Sequence, residues 1–147
     1  MPLLDDIATF LAAQSTAFTL LSGTAGNLAK AIMLDHSAVS DTIAVLYETG
    51  GSPNEYTFST STGTARVAIE KPSLQMLSRS SDYQTARSQA QTAYQILDGL
   101  AGRNLPTATG PRYIEITAVQ APFSVGRDDN DRSIISVNFN VQKQIDA

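Results

Sequence analysis

From Ile135 to Val141 the chain alternates without a break: Ile135, Val137, Phe139 and Val141 fall on one side, Ser136, Asn138 and Asn140 on the other. Successive side chains of a strand point to opposite faces, so this period commits the segment to a half-buried strand. A one-residue slip of register would turn all four apolar side chains to water. The stretch from Tyr113 to Val119 has the same period, with Ile114, Ile116 and Ala118 on one face and Tyr113, Glu115 and Thr117 on the other. Together they predict an antiparallel hairpin of Tyr113–Val119 and Ser133–Val141, with Ile114, Ile116, Ile135, Val137 and Phe139 turned toward helices. Gly126-Arg127-Asp128-Asp129-Asn130-Asp131-Arg132 reads as its charged tip, within 124–132.

Two segments supply the helices. Leu3, Leu4, Ile7, Phe10, Leu11 and Phe18 recur at helical spacing, which predicts an amphipathic helix from about Leu3 to Thr16. Asp5 and Asp6 suit the positive end of its dipole. Further on, Ser81-Asp82-Tyr83-Gln84 resembles a capping box with Ser81 at the N-cap. Tyr83, Ala86, Ala90, Ala93, Tyr94, Leu97 and Leu100 then form one helical face, closing near Gly99 or Gly102, with Arg87, Gln89, Gln91 and Gln95 outside. The small alanines let that helix lie close on a sheet.

The middle of the chain is less regular. Asn27 to Leu34 reads equally as a short helix or a strand. Ile43-Ala44-Val45-Leu46-Tyr47 is an apolar run typical of a buried strand, closed by Gly50-Gly51-Ser52-Pro53. From Thr57 to Thr64 six of eight residues are Ser or Thr, too polar to bury much area, so an exposed loop or arm is expected. Pro72 then opens a strand, Ser73 to Arg79. The whole is an α+β fold: a small mixed, mainly antiparallel sheet with two helices packed on one face, plus an extended Ser/Thr-rich arm at about 50–70. At 147 residues a single domain over 1–147 is expected, burying roughly 70% of its unfolded surface.

Composition narrows the chemistry. The 10 basic and 14 acidic residues give a net charge of −4, which disfavours a nucleic-acid footprint. No Cys is present, which removes disulfides, zinc–thiolate sites and thiol nucleophiles, and His36 is the one histidine. No apolar run approaches the ~20 residues of a membrane span. The start Met1-Pro2-Leu3-Leu4-Asp5-Asp6 has acid where a signal peptide carries base, and the last residues hold no lipidation box. A soluble, non-secreted protein is expected.

Catalytic and ligand motifs fail one by one. Asp128-Asp129-Asn130-Asp131 invites a calcium loop, but the positions needing Gly and Glu hold Ser133 and Phe139. Asp35-His36-Ser37 places acid, imidazole and hydroxyl side by side, whereas a triad needs groups that converge from separate elements. Gly23 and Gly26 precede Lys30 without forming a P-loop. The expectation is no enzyme, no cofactor and no metal.

Three blocks resemble a known family: Val45-Leu46-Tyr47-Glu48-Thr49-Gly50-Gly51-Ser52-Pro53; then Glu70-Lys71-Pro72-Ser73-Leu74-Gln75-Met76-Leu77-Ser78-Arg79 with Tyr83, Ala86, Tyr94 and Leu97-Asp98-Gly99-Leu100; and Gln120-Ala121-Pro122-Phe123-Ser124-Val125-Gly126-Arg127-Asp128 with Ser136 to Val141. Together they resemble tailed-bacteriophage minor capsid and tail-terminator proteins. The resemblance implies a virion protein, assembled in the host cytoplasm, that forms a ring, commonly a hexamer, at the head-proximal end of the tail. Its implied partners are copies of itself, the tail tube protein and a head-completion or connector protein, with DNA passing through unread and no membrane involved. The same resemblance admits a head-completion or stopper-type neck protein, and a small ligand-binding or enzymatic domain is the reading from another class. Candidate contact residues are Thr57, Ser59, Thr60, Ser61, Thr62 and Thr64 in the arm, and Arg127, Asp128, Asp129, Asp131 and Arg132 at the tip.

Overall fold

The computed structural model describes residues 2–22, 25–33, 41–58 and 65–144. In chain order the elements are α1 (Pro2–Gln14), β1 (Leu28–Lys30), β2 (Ile43–Phe58), β3 (Ala65–Ser80), α2 (Tyr83–Leu97), β4 (Leu100–Asn104), β5 (Arg112–Ala118), β6 (Phe123–Arg127) and β7 (Ser133–Gln144). The seven strands form one curled sheet in the order β1-β2-β3-β7-β5-β4, with β6 also on β7. Among the described strands only β1 runs parallel to its neighbour; the other pairs are antiparallel.

The alternation in β7 works as the sequence predicts. Ile135, Val137, Phe139 and Val141 are buried and share one cluster with Leu46, Leu74 and Met76 of the sheet. That cluster also takes Ile7, Phe10 and Leu11 from α1 and Ala86, Ala90, Ala93 and Leu97 from α2. A smaller one holds Ala29, Ile43 and Val45, with Leu21, Met33 and Tyr47 packed against it.

Several expectations need correction. β2 does not end at Gly50-Gly51-Ser52-Pro53; it runs to Phe58 through register shifts between Glu48 and Tyr56. Gly51 makes this possible: its φ is +140°, and a Cβ there would lie 2.1 Å from the Lys71 carbonyl oxygen. Its partner is Pro72, which does not open β3 but sits inside it. Proline has no N–H to give, and the β3–β7 pairing accordingly skips from Glu70 to Ser73. Of the two readings for Asn27–Leu34, the strand is observed at Leu28–Lys30, while Leu34 lies outside the described residues.

The N-cap of α2 is Asp82 rather than Ser81. Its carboxylate accepts from the Gln84 N–H at 3.3 Å and the Thr85 hydroxyl at 2.7 Å, bonds the shorter serine did not win. The helix stops at Leu97, so Leu100 belongs to β4, and Tyr83 is exposed. Gln89, expected outside, is buried and accepts from the Ser78 hydroxyl at 2.7 Å.

In β5 a register shift between Tyr113 and Glu115 buries Tyr113 and leaves Ile114 half-buried, reversing their expected faces. Nor do β5 and β7 form a simple hairpin. They pair antiparallel from Tyr113↔Lys143 to Ala118↔Phe139, while β6 takes the rest of that edge from Phe123↔Ser136 to Arg127↔Ser133. The turn therefore joins β6 to β7.

Replacing Phe139 by Ala should cost about 3–5 kcal/mol in chemical denaturation, and Ile114→Ala less than half of that. Equal losses at the two positions would show that the β5 face is misassigned. Asp82→Ala should lower the denaturation midpoint through the lost cap; an unchanged midpoint would place the cap elsewhere.

Candidate assembly interfaces

The arm expected around Thr57–Thr64 begins as a continuation of the sheet. Tyr56↔Val67, Thr57↔Arg66 and Phe58↔Ala65 are the last described pairs of β2 and β3. Among the described residues β7 accompanies β3 as far as Ile69, so these described pairs form a two-stranded ribbon beyond it. An ion pair between Lys71 and Glu55 braces its root. Thr57 lies in the ribbon; Ser59, Thr60, Ser61, Thr62 and Thr64 lie outside the described residues.

The charged tip is organised around one carboxylate. Asp128 Oδ1 accepts from the backbone N–H groups of Asn130 at 3.0 Å and Arg132 at 2.9 Å, and Oδ2 accepts from Arg132 Nε at 2.8 Å. Arg132 is buried, and its Nη1 also reaches Asp41 Oδ1 at 3.2 Å. These two residues shape the loop and tie it to the start of β2. Arg127, Asp129 and Asp131 are the exposed members, with Arg127 Nη1 3.0 Å from Asp131 Oδ1. Burial alone would raise the Asp128 carboxyl, but the N–H groups and guanidinium outweigh it and hold it below the usual carboxylate range.

Two exposed margins were not foreseen. All five residues of β6 are exposed, and Phe123 and Val125 project with neighbouring Val119. β4 is an edge strand whose middle three residues are exposed. Each is a short segment around glycine, too brief for its period to stand out from a loop. Near β1, Leu20 and Ile32 are exposed beside a shallow apolar cleft of about 340 Å³. Among the described residues no group of three or more His, Asp or Glu could hold a metal, and His36 lies outside them. No described helix is long and apolar enough to cross a membrane.

A sheet with open margins, a projecting ribbon and a polar tip is the anatomy of a subunit that works by contact. Over residues 36–145 the chain matches the bacteriophage tail terminator proteins, and it belongs to that family. The match takes in β2 through β7 and leaves out α1 and β1. Among solved structures, a chain from the "Virion of native gene transfer agent (GTA) particle" shares the fold, with a TM-score of 0.57 and 14% identity over 98% of this chain and 96% of that one. No curated protein sequence matches. The protein is a structural component of a tailed, phage-like virion, acting by assembly with tail and head proteins, and not an enzyme.

The tip gives a pH-dependent prediction. A folded-state value depressed below the unfolded one means the Asp128 contribution is full above about pH 4 and drains away as pH falls through the folded value. Thermal melts of wild type and Asp128→Asn should differ most near pH 7 and draw together as pH falls below about 4. A gap independent of pH would show that ionisation of Asp128 adds nothing.

Proposed function

We propose that the protein forms a closed homo-oligomeric ring, a hexamer, at the head-proximal end of the tail, where it caps the tail tube and joins it to the head through a connector or head-completion protein. The chain acts as one domain, with both helices on one sheet face, Leu21 and Met33 packed against Ile43 and Val45 on the other, and the margins left for neighbours. The observation that carries this reading is the ribbon at the end of β2 and β3, whose last described pairs lie beyond the described end of β7. A two-stranded ribbon is marginal by itself and gains stability by lying on another surface. A cyclic ring joins one patch to a different patch on the next copy, and an extended arm supplies such a patch through its backbone.

In this reading the contact residues are Thr57, Ser59, Thr60, Ser61, Thr62 and Thr64 in the arm, with Arg127, Asp129 and Asp131 at the tip and Asp128 and Arg132 holding its shape. An arm free in solution loses roughly 1–2 kcal/mol per residue on ordering, so the tail tube serves as the template on which the ring closes. DNA passes through the lumen without being read, in keeping with the net charge of −4.

Imaging of labelled protein in whole particles tests the position: density at the tail's upper end supports the terminator reading, and density confined to the head side supports a stopper in the neck. Deleting Ser59 to Thr64, with an Asn-Gly turn joining Phe58 to Ala65, should abolish ring closure and the yield of joined particles. Normal yield would remove the arm from the seam. The assembled ring should bind duplex DNA weakly at physiological salt; tight binding that collapses as salt rises would overturn the inert conduit.

A further inference from the structure

Two margins of the sheet lie level with each other and carry opposite charge. Arg103 on β4 pairs with Tyr113, Tyr113 with Lys143, and Lys143 with Glu70, so these four residues share one face. Glu70 and Leu74 alternate onto that face along β3, and Glu48 of β2 pairs with Leu74. At this end of the molecule β2 and β4 are therefore the outer strands. On the outer side of β2, β1 covers only Ala44 to Leu46, and among the described residues no strand pairs with Tyr47–Phe58 there. The outer side of β4 has no strand partner among them either.

The β2 margin carries an excess of acid: Glu48, and Glu70 from β3 one strand further in, line an open cleft of about 470 Å³ together with Lys71, and Glu55 beside it is ion-paired to that lysine. The β4 margin is basic, with Arg103 and Arg112 against Glu115 one strand further in. Arg103 is held over the Phe10 ring at 5.0 Å from its centroid. Arg112 belongs to β5 but crosses β4 at Gly102, where an added Cβ would lie 3.1 Å from Arg112 Nη2. The absence of a side chain there brings a second guanidinium to the margin, beside a groove of about 350 Å³.

We infer that the β2 margin of one copy docks on the β4 margin of the next copy of this chain, Glu70 lying in the row of Arg103, Glu55 facing Arg112, and Glu48 adding negative charge further down the same margin. This rests on the ring reading and names its seam. Four successive antiparallel pairings, β2 to β3 to β7 to β5 to β4, return β4 to the direction of β2. Copies related by ring rotation therefore bring the two strands together in parallel, and the sheet continues from subunit to subunit. A two-fold dimer through either margin would set acid against acid or base against base. The charges thus select head-to-tail closure over a dyad.

The test uses two variants of the full chain, one carrying Glu48→Lys and Glu55→Lys, the other Arg103→Glu and Arg112→Glu. Native mass spectrometry and imaging follow assembly of each alone and mixed, in solution and on purified tail tubes. Wild type should close into rings, and each variant alone should lose at least about tenfold in ring yield because like charges meet at every seam. An equal mixture should recover rings in which the variants alternate, since each then faces opposite charge on both sides. Recovery also shows that both variants fold; matched thermal melts check this independently.

If each variant assembles as well as wild type, the seam is elsewhere and the ring stands. If both melt like wild type and the mixture fails to recover, charge complementarity at this seam is overturned. If wild type forms no closed oligomer even on tails, the ring reading itself falls, and the seam with it.

Discussion

The pairing of β3 with β7, from Ser73↔Asn140 to Ser80↔Ser133, is the contact on which the other elements depend. β7 gives one edge to β3 and divides the other between β5 and β6, so a shift here would displace three strands at once. Its register sets Leu74 and Met76 beside Phe139 and Val137 on the face that α2 covers with Ala86, Ala90 and Ala93. The alanines remove the bulk that would hold the helix away, and the close approach buries Gln89 against Ser78. Both polar atoms are satisfied there, so the pair fixes register without leaving an orphan. A slip of one residue would drive Arg79 under the helix and turn Ser78 out.

The two ends of the sheet are closed by different chemistry. At one end Arg79 and Arg132 are buried, and a buried cation is tolerable only when paired. Arg79 donates through Nε to the Asp41 carbonyl, and Arg132 meets the Asp41 and Asp128 carboxylates. The tip between β6 and β7 is thereby fixed to the start of β2. At the other end the Tyr113 hydroxyl donates to Asp6 at 2.7 Å, and Lys143 Nζ lies 3.7 Å from the same carboxylate and 5.6 Å from the ring centroid. Burial, then the bond to Asp6 and the negative field of Asp6, Glu70 and Glu48, push the Tyr113 hydroxyl well above its ordinary value. It stays a neutral donor, and α1 is tied to β5 and β7.

What the sequence makes legible follows from period and length. α1, α2 and β7 are long enough for their apolar spacing to be read, and all three appear close to the expected positions. β4 and β6 are five residues each, include glycine and bury little, so neither shows a period of its own. The misread boundaries share another cause. Gly50-Gly51-Ser52-Pro53 and Pro72 are breakers by local propensity, yet two breakers facing each other across a bulge let both strands continue, and that pairing is invisible one residue at a time. Tyr113 and Ile114 exchange roles because a bulge resets the alternation. At the tip the sequence displays five charged side chains alike; only the structure separates Asp128 and Arg132, turned inward, from Arg127, Asp129 and Asp131.

The treatment of sheet margins ties the fold to its role. Open edges invite any extended chain to pair, and proteins that function alone cover them or arm them against it. Here β6 carries projecting Phe123 and Val125, while β4 presents Ala101-Gly102-Arg103, with the Arg112 guanidinium laid across Gly102. Neither margin is covered by a described helix, although α2 packs beside β5 and β7. A helix there would have ended any possibility of extending the sheet. The β2 and β4 margins combine small residues, which allow backbone approach, with an excess of one sign of charge, which resists indiscriminate pairing. Such edges suit a virion protein that acts by assembly with tail and head proteins, because a charged edge disfavours pairing with its own kind.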